Sequence, residues 1–235
     1  MNTAPFASSP DGPEKVDELS YFGIEKAEGC EDMNVYMVLG RLFKIHHEFE
    51  NIMFRILEED KCGVIVLISE KTTSWNTALF ERMEENHEKQ RKEGGGLGID
   101  VKGRIRFVAY WNYVRIMAHA VAILDTYPYG GCLTTQEAMS NGKVVVTMPS
   151  KYVRGQFTKS IYMQMGDGGE EGWPIAKDEK EYVEIAVKVA RDDGGYTKRV
   201  KERMRDAWEN EGVHRTEKVG REWANTIRRA VEGLG

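Results

Sequence analysis

Between Asn34 and Pro149, short and continuously apolar runs alternate with longer segments of helical period. The runs are "NVYMVLG", "KCGVIVLISE", "RIRFVAY", "VAILDT" and "KVVVTMP". A strand that is apolar at successive positions must be buried on both faces, unlike the alternating strands of a half-exposed sheet. The intervening segment "RLFKIHHEFENIMFRILEED" carries Ile45, Phe49, Ile52, Met53, Ile56 and Leu57 at helical spacing. "TTSWNTALFERMEENHEKQRKE" reads as a helix opened by a Thr or Ser cap, and "WNYVRIMAHA" as a short helix. The alternation predicts an α/β fold, a Rossmann-like doubly wound parallel sheet with helices on both faces. The remainder is predicted to be helical over 152–165, 179–191, 196–209 and 214–231. Residues 1–33 are rich in Pro, Gly, Ser and acid and read as a flexible leader or linker, which leaves 34–235 as one domain.

Composition excludes several classes. The net charge of −5 argues against a nucleic-acid binder that relies on phosphate attraction. No apolar run reaches membrane-spanning length, and "MNTAPFASSPDGPEK" lacks the basic start and apolar core of a signal peptide. Cys30, Cys62 and Cys132 lie far apart, are odd in number and form no CxxC pair. That spacing predicts no disulfide framework and no zinc module, and it fits a reducing compartment, cytoplasmic or nuclear.

In parallel sheets ligands bind outside the carboxyl ends of the strands. The loops after Gly40, Ser69, Ala109 and Asp125 therefore form the predicted functional edge, whereas "KEGGGLGIDVKG" falls at the other end and reads as a flexible connection. In "LDTYPYGGCLTTQEAMSNGKVVVTMPS", Gly130 and Gly131 permit close approach of a ligand. Thr134 and Thr135 follow near a helix N-terminus, where free N–H groups and the helix dipole favour an anion. Glu137 lies one turn further, within reach of a ribose. The same pattern also serves as an ordinary helix cap, and the residues alone leave both readings open. Lys44, just past the first strand, could neutralise a phosphate or could be a surface lysine. The aromatics and arginine of "YWNYVR" could stack on a base or pack between helix and sheet. His46 and His47 are adjacent, so on a helix they should diverge and make a poor metal pair. GxxxxGK[ST], GxGxxG and D-x-D are all absent.

"LFKIH", "RIRF", the "LDTYPYGGCLTTQEAM" stretch and "VRGQFTKSIYMQMG" occur in that order, followed by "EYVEIAVKVARD". Over about 34–205 the ordered set resembles the C-terminal, donor-binding half of O-GlcNAc-transferase and SPINDLY-type glycosyltransferases. The resemblance implies one half of a GT-B architecture, carrying extra C-terminal helices, and a nucleotide-sugar substrate. The donor would be UDP-GlcNAc or GDP-fucose and the acceptor a Ser or Thr hydroxyl of a protein, with no metal or other cofactor, no nucleic acid and no membrane. It implies that Lys44 is the catalytic cation at the donor diphosphate, with Arg41 in the preceding polar position. Gly131, Cys132, Leu133, Thr134 and Thr135 would form the diphosphate turn, Glu137 the ribose contact, and Ala109, Tyr110 and Arg115 the wall around the base. The family pattern is polar where this chain has Cys132 and Leu133, so contacts there are expected from the backbone. An N-terminal GT-B half or a repeat domain would have to come from elsewhere. Two alternatives stay open: a non-catalytic nucleotide-sugar-binding module that needs such a partner, and a nucleotide-sugar epimerase.

Overall fold

The computed structural model describes residues 19–25, 29–94, 98–211 and 216–233. Most of the leader and the middle of the "GGGLG" loop thus lie outside the described residues. Five parallel strands form one sheet: β1 Asn34–Val38, β2 Gly63–Ile68, β3 Ile105–Val108, β4 Ala122–Leu124 and β5 Val145–Val146. Their spatial order is β3-β2-β1-β4-β5. The register sets Asn34 opposite Gly63 and Val38 opposite Leu124. Val35 through Val38 are all buried, as two-sided coverage requires of a central strand.

The helices are α1 His47–Glu59, α2 Thr73–Lys92, α3 Val101–Arg104, α4 Tyr113–His119 and α5 Leu133–Ser140. They continue with α6 Phe157–Gln164, α7 Glu179–Arg191, α8 Tyr196–Asp206 and α9 Thr216–Glu232. The apolar stripe predicted for α1 is wholly buried at Phe49, Ile52, Met53, Ile56 and Leu57. Phe49 meets Tyr182 of α7 edge-on, with ring centroids 6.1 Å apart. Glu50 is also fully buried in this helix. Arg82 of α2 neutralises it at 2.6 Å, and the Asn86 amide donates to it at 2.9 Å. No helix among the described residues is long and apolar enough to cross a membrane. Along α9, Trp223, Ile227 and Val231 recur every fourth residue and are exposed.

Several boundaries differ from the sequence reading for local reasons. The helix expected from Arg41 begins only at His47, because a 3-10 turn at Leu42–Lys44 is flanked by extended backbone at Arg41 and Ile45. The four-residue α3 was not anticipated; Asp100 caps it by accepting the Gly103 N–H at 2.8 Å. Part of the expected leader belongs to the fold: Ile24 is buried, and Arg106 donates to the Gly23 carbonyl at 3.0 Å. Cys30 and Cys62 form a disulfide, which corrects the expectation drawn from cysteine spacing. The sequence separation of 32 hid the pair; the Asn34–Gly63 register brings the entries of both strands together. The cysteine argument for a reducing compartment is thereby removed.

The same corner is fastened by Asp60. It accepts from the Tyr36 hydroxyl at 2.7 Å, the Asn34 amide at 2.8 Å and the Cys62 N–H at 3.1 Å. Arg104 closes it by donating to the carbonyls of Leu57 at 2.7 Å, Gly63 at 2.9 Å, and Asp60. Asp60→Ala leaves the buried Tyr36 hydroxyl without an acceptor. Its unfolding free energy in urea should fall by about 1–3 kcal/mol; an unchanged denaturation midpoint would show that the corner does not stabilise the fold.

Candidate functional site

The chain leaves β1 for β2 and β3 on one side, then returns to place β4 on the other side of β1. The carboxyl ends of β1 and β4 therefore diverge at a topological switch point, where ligands of such sheets lie. The loop after β4 is organised by Asp125, which is 6% exposed. One carboxylate oxygen accepts the Gly131 N–H at 2.6 Å. The other accepts the hydroxyls of Thr147 at 2.8 Å and Thr158 at 2.6 Å. The Tyr182 hydroxyl donates to its backbone carbonyl at 2.9 Å. Burial pushes the Asp125 pKa up, while the Thr158, Gly131 and Thr147 donors and the Lys44 charge pull it down. A side chain at Gly130 would put its Cβ 2.8 Å from Asp125 Oδ2, so the loop needs glycine to wrap this carboxylate.

Lys44 is brought to that loop by the 3-10 turn after β1. Its Nζ donates to the Gly130 carbonyl at 3.0 Å and lies 4.2 Å from the Tyr129 ring centroid. Arg154 sits over the same ring at 5.3 Å, which brings the "VRGQ" segment to the site. Burial lowers the Lys44 pKa, and the nearby Asp125 and Cys132 groups act in the opposite direction. Helix α5 starts beside this lysine. Its N-cap, Cys132, makes no side-chain capping bond and the first turn has no acid, so the leading N–H groups are left for another acceptor.

A cleft of about 650 Å³ opens over these elements, within the usual range of small-ligand sites. Leu39, Gly40, Arg41 and Lys44 line it from the segment after β1, Ile68 to Thr72 from the end of β2 and the loop that follows, Trp75 from α2, Tyr110 from the turn after β3, Tyr113 from α4, and Thr134 and Glu137 from α5. Of the residues the sequence singled out, Arg41, Lys44, Tyr110, Thr134 and Glu137 are thus brought together in one cleft. Arg41 is held by Glu70 at 2.5 Å, a partner the sequence reading did not supply. Tyr113 stacks on Tyr110 with centroids 5.8 Å apart. Its phenol is pushed up by burial and by the hydrogen bond it donates to Glu137.

Other predicted residues lie elsewhere. Thr135 is buried and shares its hydroxyl with Thr158 at 3.2 Å, so only its backbone faces the turn. Cys132 is exposed and Leu133 is 77% exposed; neither side chain lines the cleft. Gly131 lies behind it, packed against the side chains of Thr134 and Thr135. Ala109 caps the 3-10 turn Tyr110–Asn112 without lining the cleft. Arg115 turns away and stacks over Tyr21 and Phe22 at 5.3 and 5.6 Å. Its spacing from the strand could not show this, because its partners lie in the segment before β1. A larger groove of about 1130 Å³ involves the strand entries at Val35, Ala120 and Val121. It sits at the edge opposite the loops that carry the lysine and the free helix terminus, so size does not make it the site.

Apolar and charged side chains share the open surface of the cleft: Trp75 and Tyr110 are exposed there beside Arg41 and Lys71. Phe43 and Trp111, in the adjoining 3-10 turns, are exposed as well, Trp111 to 81%.

No protein-family model matches the sequence, and no curated protein does. Solved structures match in fold. The α/β Rossmann-like sheet flanked by helices matches half-domains of GT-B glycosyltransferases. A mutant O-GlcNAc transferase from Thermobaculum terrenum superposes with a TM-score of 0.68 at 22% identity, over 86% of this chain and 36% of that one. Anabaena HepE, solved with UDP and glucose, gives 0.55 at 14% identity over 95% of this chain and 53% of its own. The trehalose-6-phosphate synthase OtsA gives 0.53 at 11% identity, over 91% and 46%. The chain therefore spans between about a third and a half of these neighbours.

Asp125→Ala strips an acceptor from three buried donors and should lower the unfolding free energy by at least about 3 kcal/mol. Asp125→Asn, which keeps one carbonyl acceptor, should lose less. Guanidinium unfolding of both variants checks this, and equal losses would show that volume rather than hydrogen bonding holds the loop.

Proposed function

We propose that this chain is the donor-binding half of an inverting GT-B glycosyltransferase that takes a nucleoside-diphosphate sugar. The observation that carries the reading is the meeting, at one switch-point cleft, of Lys44, Thr134, the uncapped start of α5 and Glu137. A diphosphate over the turn would receive the leading N–H groups of α5 and the Thr134 hydroxyl. The Lys44 ammonium would exchange the Gly130 carbonyl for a phosphate oxygen. Glu137 would accept from ribose hydroxyls, oriented by the Tyr113 hydrogen bond, and Tyr110 offers its exposed ring to the base.

In transfer, an acceptor oxygen attacks C1 of the sugar from the face opposite the leaving group. The C1–O bond to the diphosphate breaks, and its electron pair stays on the departing phosphate oxygen. Lys44 and the helix terminus are placed where that charge develops, and such fixed donors need no reorganisation during the reaction. A metal has no required part in this scheme. The acceptor proton passes to a general base within hydrogen-bond reach of the acceptor hydroxyl. We take the donor as UDP-GlcNAc or GDP-fucose and the acceptor as a Ser or Thr hydroxyl of a protein, on the resemblance of the ordered motifs and the fold shared with an O-GlcNAc transferase.

The exposed rings of Trp75 and Tyr110 at the cleft, and of Phe43 and Trp111 in the adjoining turns, favour a second reading, in which the chain binds the sugar nucleotide and acts only when a partner domain covers the cleft. Nucleotide binding without transfer by the isolated chain, with activity regained on adding an N-terminal half, would separate that reading from a self-sufficient enzyme. Isomerised sugar from UDP-GlcNAc alone would point instead to an epimerase.

Titration calorimetry with UDP and GDP tests the common ground. One of the two should bind, and Lys44→Ala and Glu137→Ala should each weaken it about ten-fold or more, the worth of one hydrogen bond to a charged group. Absence of binding at millimolar nucleotide, with the fold intact by circular dichroism, would refute the proposal.

A further inference from the structure

Three metal-binding side chains converge at the start of α1, outside the residues that line the cleft. His46, His47 and Glu48 each bring a donor atom, and these atoms all lie within 4.8 Å of one another. Successive helical residues point about 100° apart, which is why the sequence reading dismissed the histidine pair. The backbone removes the objection. His46 is the N-cap and is extended, with φ −91° and ψ 157°, so its ring folds back over the first turn. The two ring centroids lie 4.0 Å apart, tilted by 42°.

The contacts of His46 within this cluster point the same way. Its Nδ1 lies 3.4 Å from Glu48 Oε2 and 3.5 Å from the Glu48 backbone nitrogen. A lone pair on Nδ1 suits the N–H but confronts the carboxylate as acceptor against acceptor. A proton on Nδ1 suits the carboxylate but confronts the N–H. No protonation state of the imidazole serves both contacts. A cation placed between Nδ1 and the carboxylate takes both as ligands and leaves only an N–H on an exposed turn, which water can satisfy.

We propose that His46, His47 and Glu48 bind a divalent transition metal of the zinc class. Two imidazoles and one carboxylate form a known zinc donor set, with three protein ligands and the remaining position left to water. Magnesium and calcium prefer all-oxygen surroundings and are disfavoured by the two nitrogens. The positive end of the α1 dipole opposes a cation here, and the Glu48 charge offsets it. The proposal is independent of the glycosyltransferase reading.

The test uses the full chain, stripped with a chelator and titrated with zinc chloride by calorimetry, with the histidine ring nitrogens followed by NMR. One equivalent should bind, shifting the rings of His46 and His47 while those of His87 and His119 stay in place. His47→Ala should weaken uptake at least about ten-fold, the loss expected even for weaker supporting groups of a zinc site. In the double variant His46→Asn/His47→Ala, asparagine preserves a good N-cap, so α1 should stay folded while the saturable uptake disappears. The proposal is overturned if the wild-type chain shows no saturable uptake, if the double variant binds as before, or if zinc shifts His87 or His119 instead.

Discussion

The carboxylate of Asp125 stands at the end of β4 with almost no access to water, and it holds three donors from three different parts of the chain. Thr147 follows β5, Thr158 belongs to α6, and the Gly131 N–H lies in the loop that α5 springs from. A buried charge of this kind is tolerated only when its lone pairs are filled. Filling them fixes the relative positions of the elements that supply the donors. Lys44, bonded to the Gly130 carbonyl, is tied to the same loop and lies close enough to Asp125 for their charges to interact. The geometry of the cleft thus follows from satisfying one carboxylate.

Around that centre the cleft separates its charges. Arg41 is already engaged by Glu70, and Glu137 receives the Tyr113 hydroxyl, whereas among the described residues Lys44 bonds to a carbonyl and feels Asp125 without a direct ion pair. A half-buried lysine outside any direct ion pair gains more from an incoming anion than one already in such a pair. Exposed Trp75 and Tyr110 add aromatic surface beside these charged groups.

Much of this was legible in the sequence because the relevant signals are local. The apolar runs gave all five strands, and the stripe on α1 is the set of residues now fully buried. Lys44, Thr134 and Glu137 were legible because each lies a few residues beyond a strand or at a helix start. What stayed hidden depends on pairing between distant segments. Arg115 belongs to Tyr21 and Phe22, Glu50 to Arg82, Arg41 to Glu70, and Cys30 to Cys62, and nothing in local periodicity links these partners. Thr135 was misplaced for a subtler reason. It neighbours Thr134, but a step of about 100° along the helix turns it inward to Thr158. The rings of His46 and His47 lie closer than two successive helical residues would place them, since the helix starts only at His47.

The two ends of the sheet are built in different ways. At the strand entries, Asp60, Arg104 and the Cys30–Cys62 bond fasten β1 and β2 through backbone groups and a covalent link. At the strand exits, exposed side chains on short turns surround the cleft. Substitutions among those rim residues can therefore accumulate without disturbing what keeps the chain folded. In evolutionary terms the buried anchors, Asp60 at the entries and Asp125 at the exits, act as a stability reserve, against which the exposed residues of the cleft are free to drift toward new ligands.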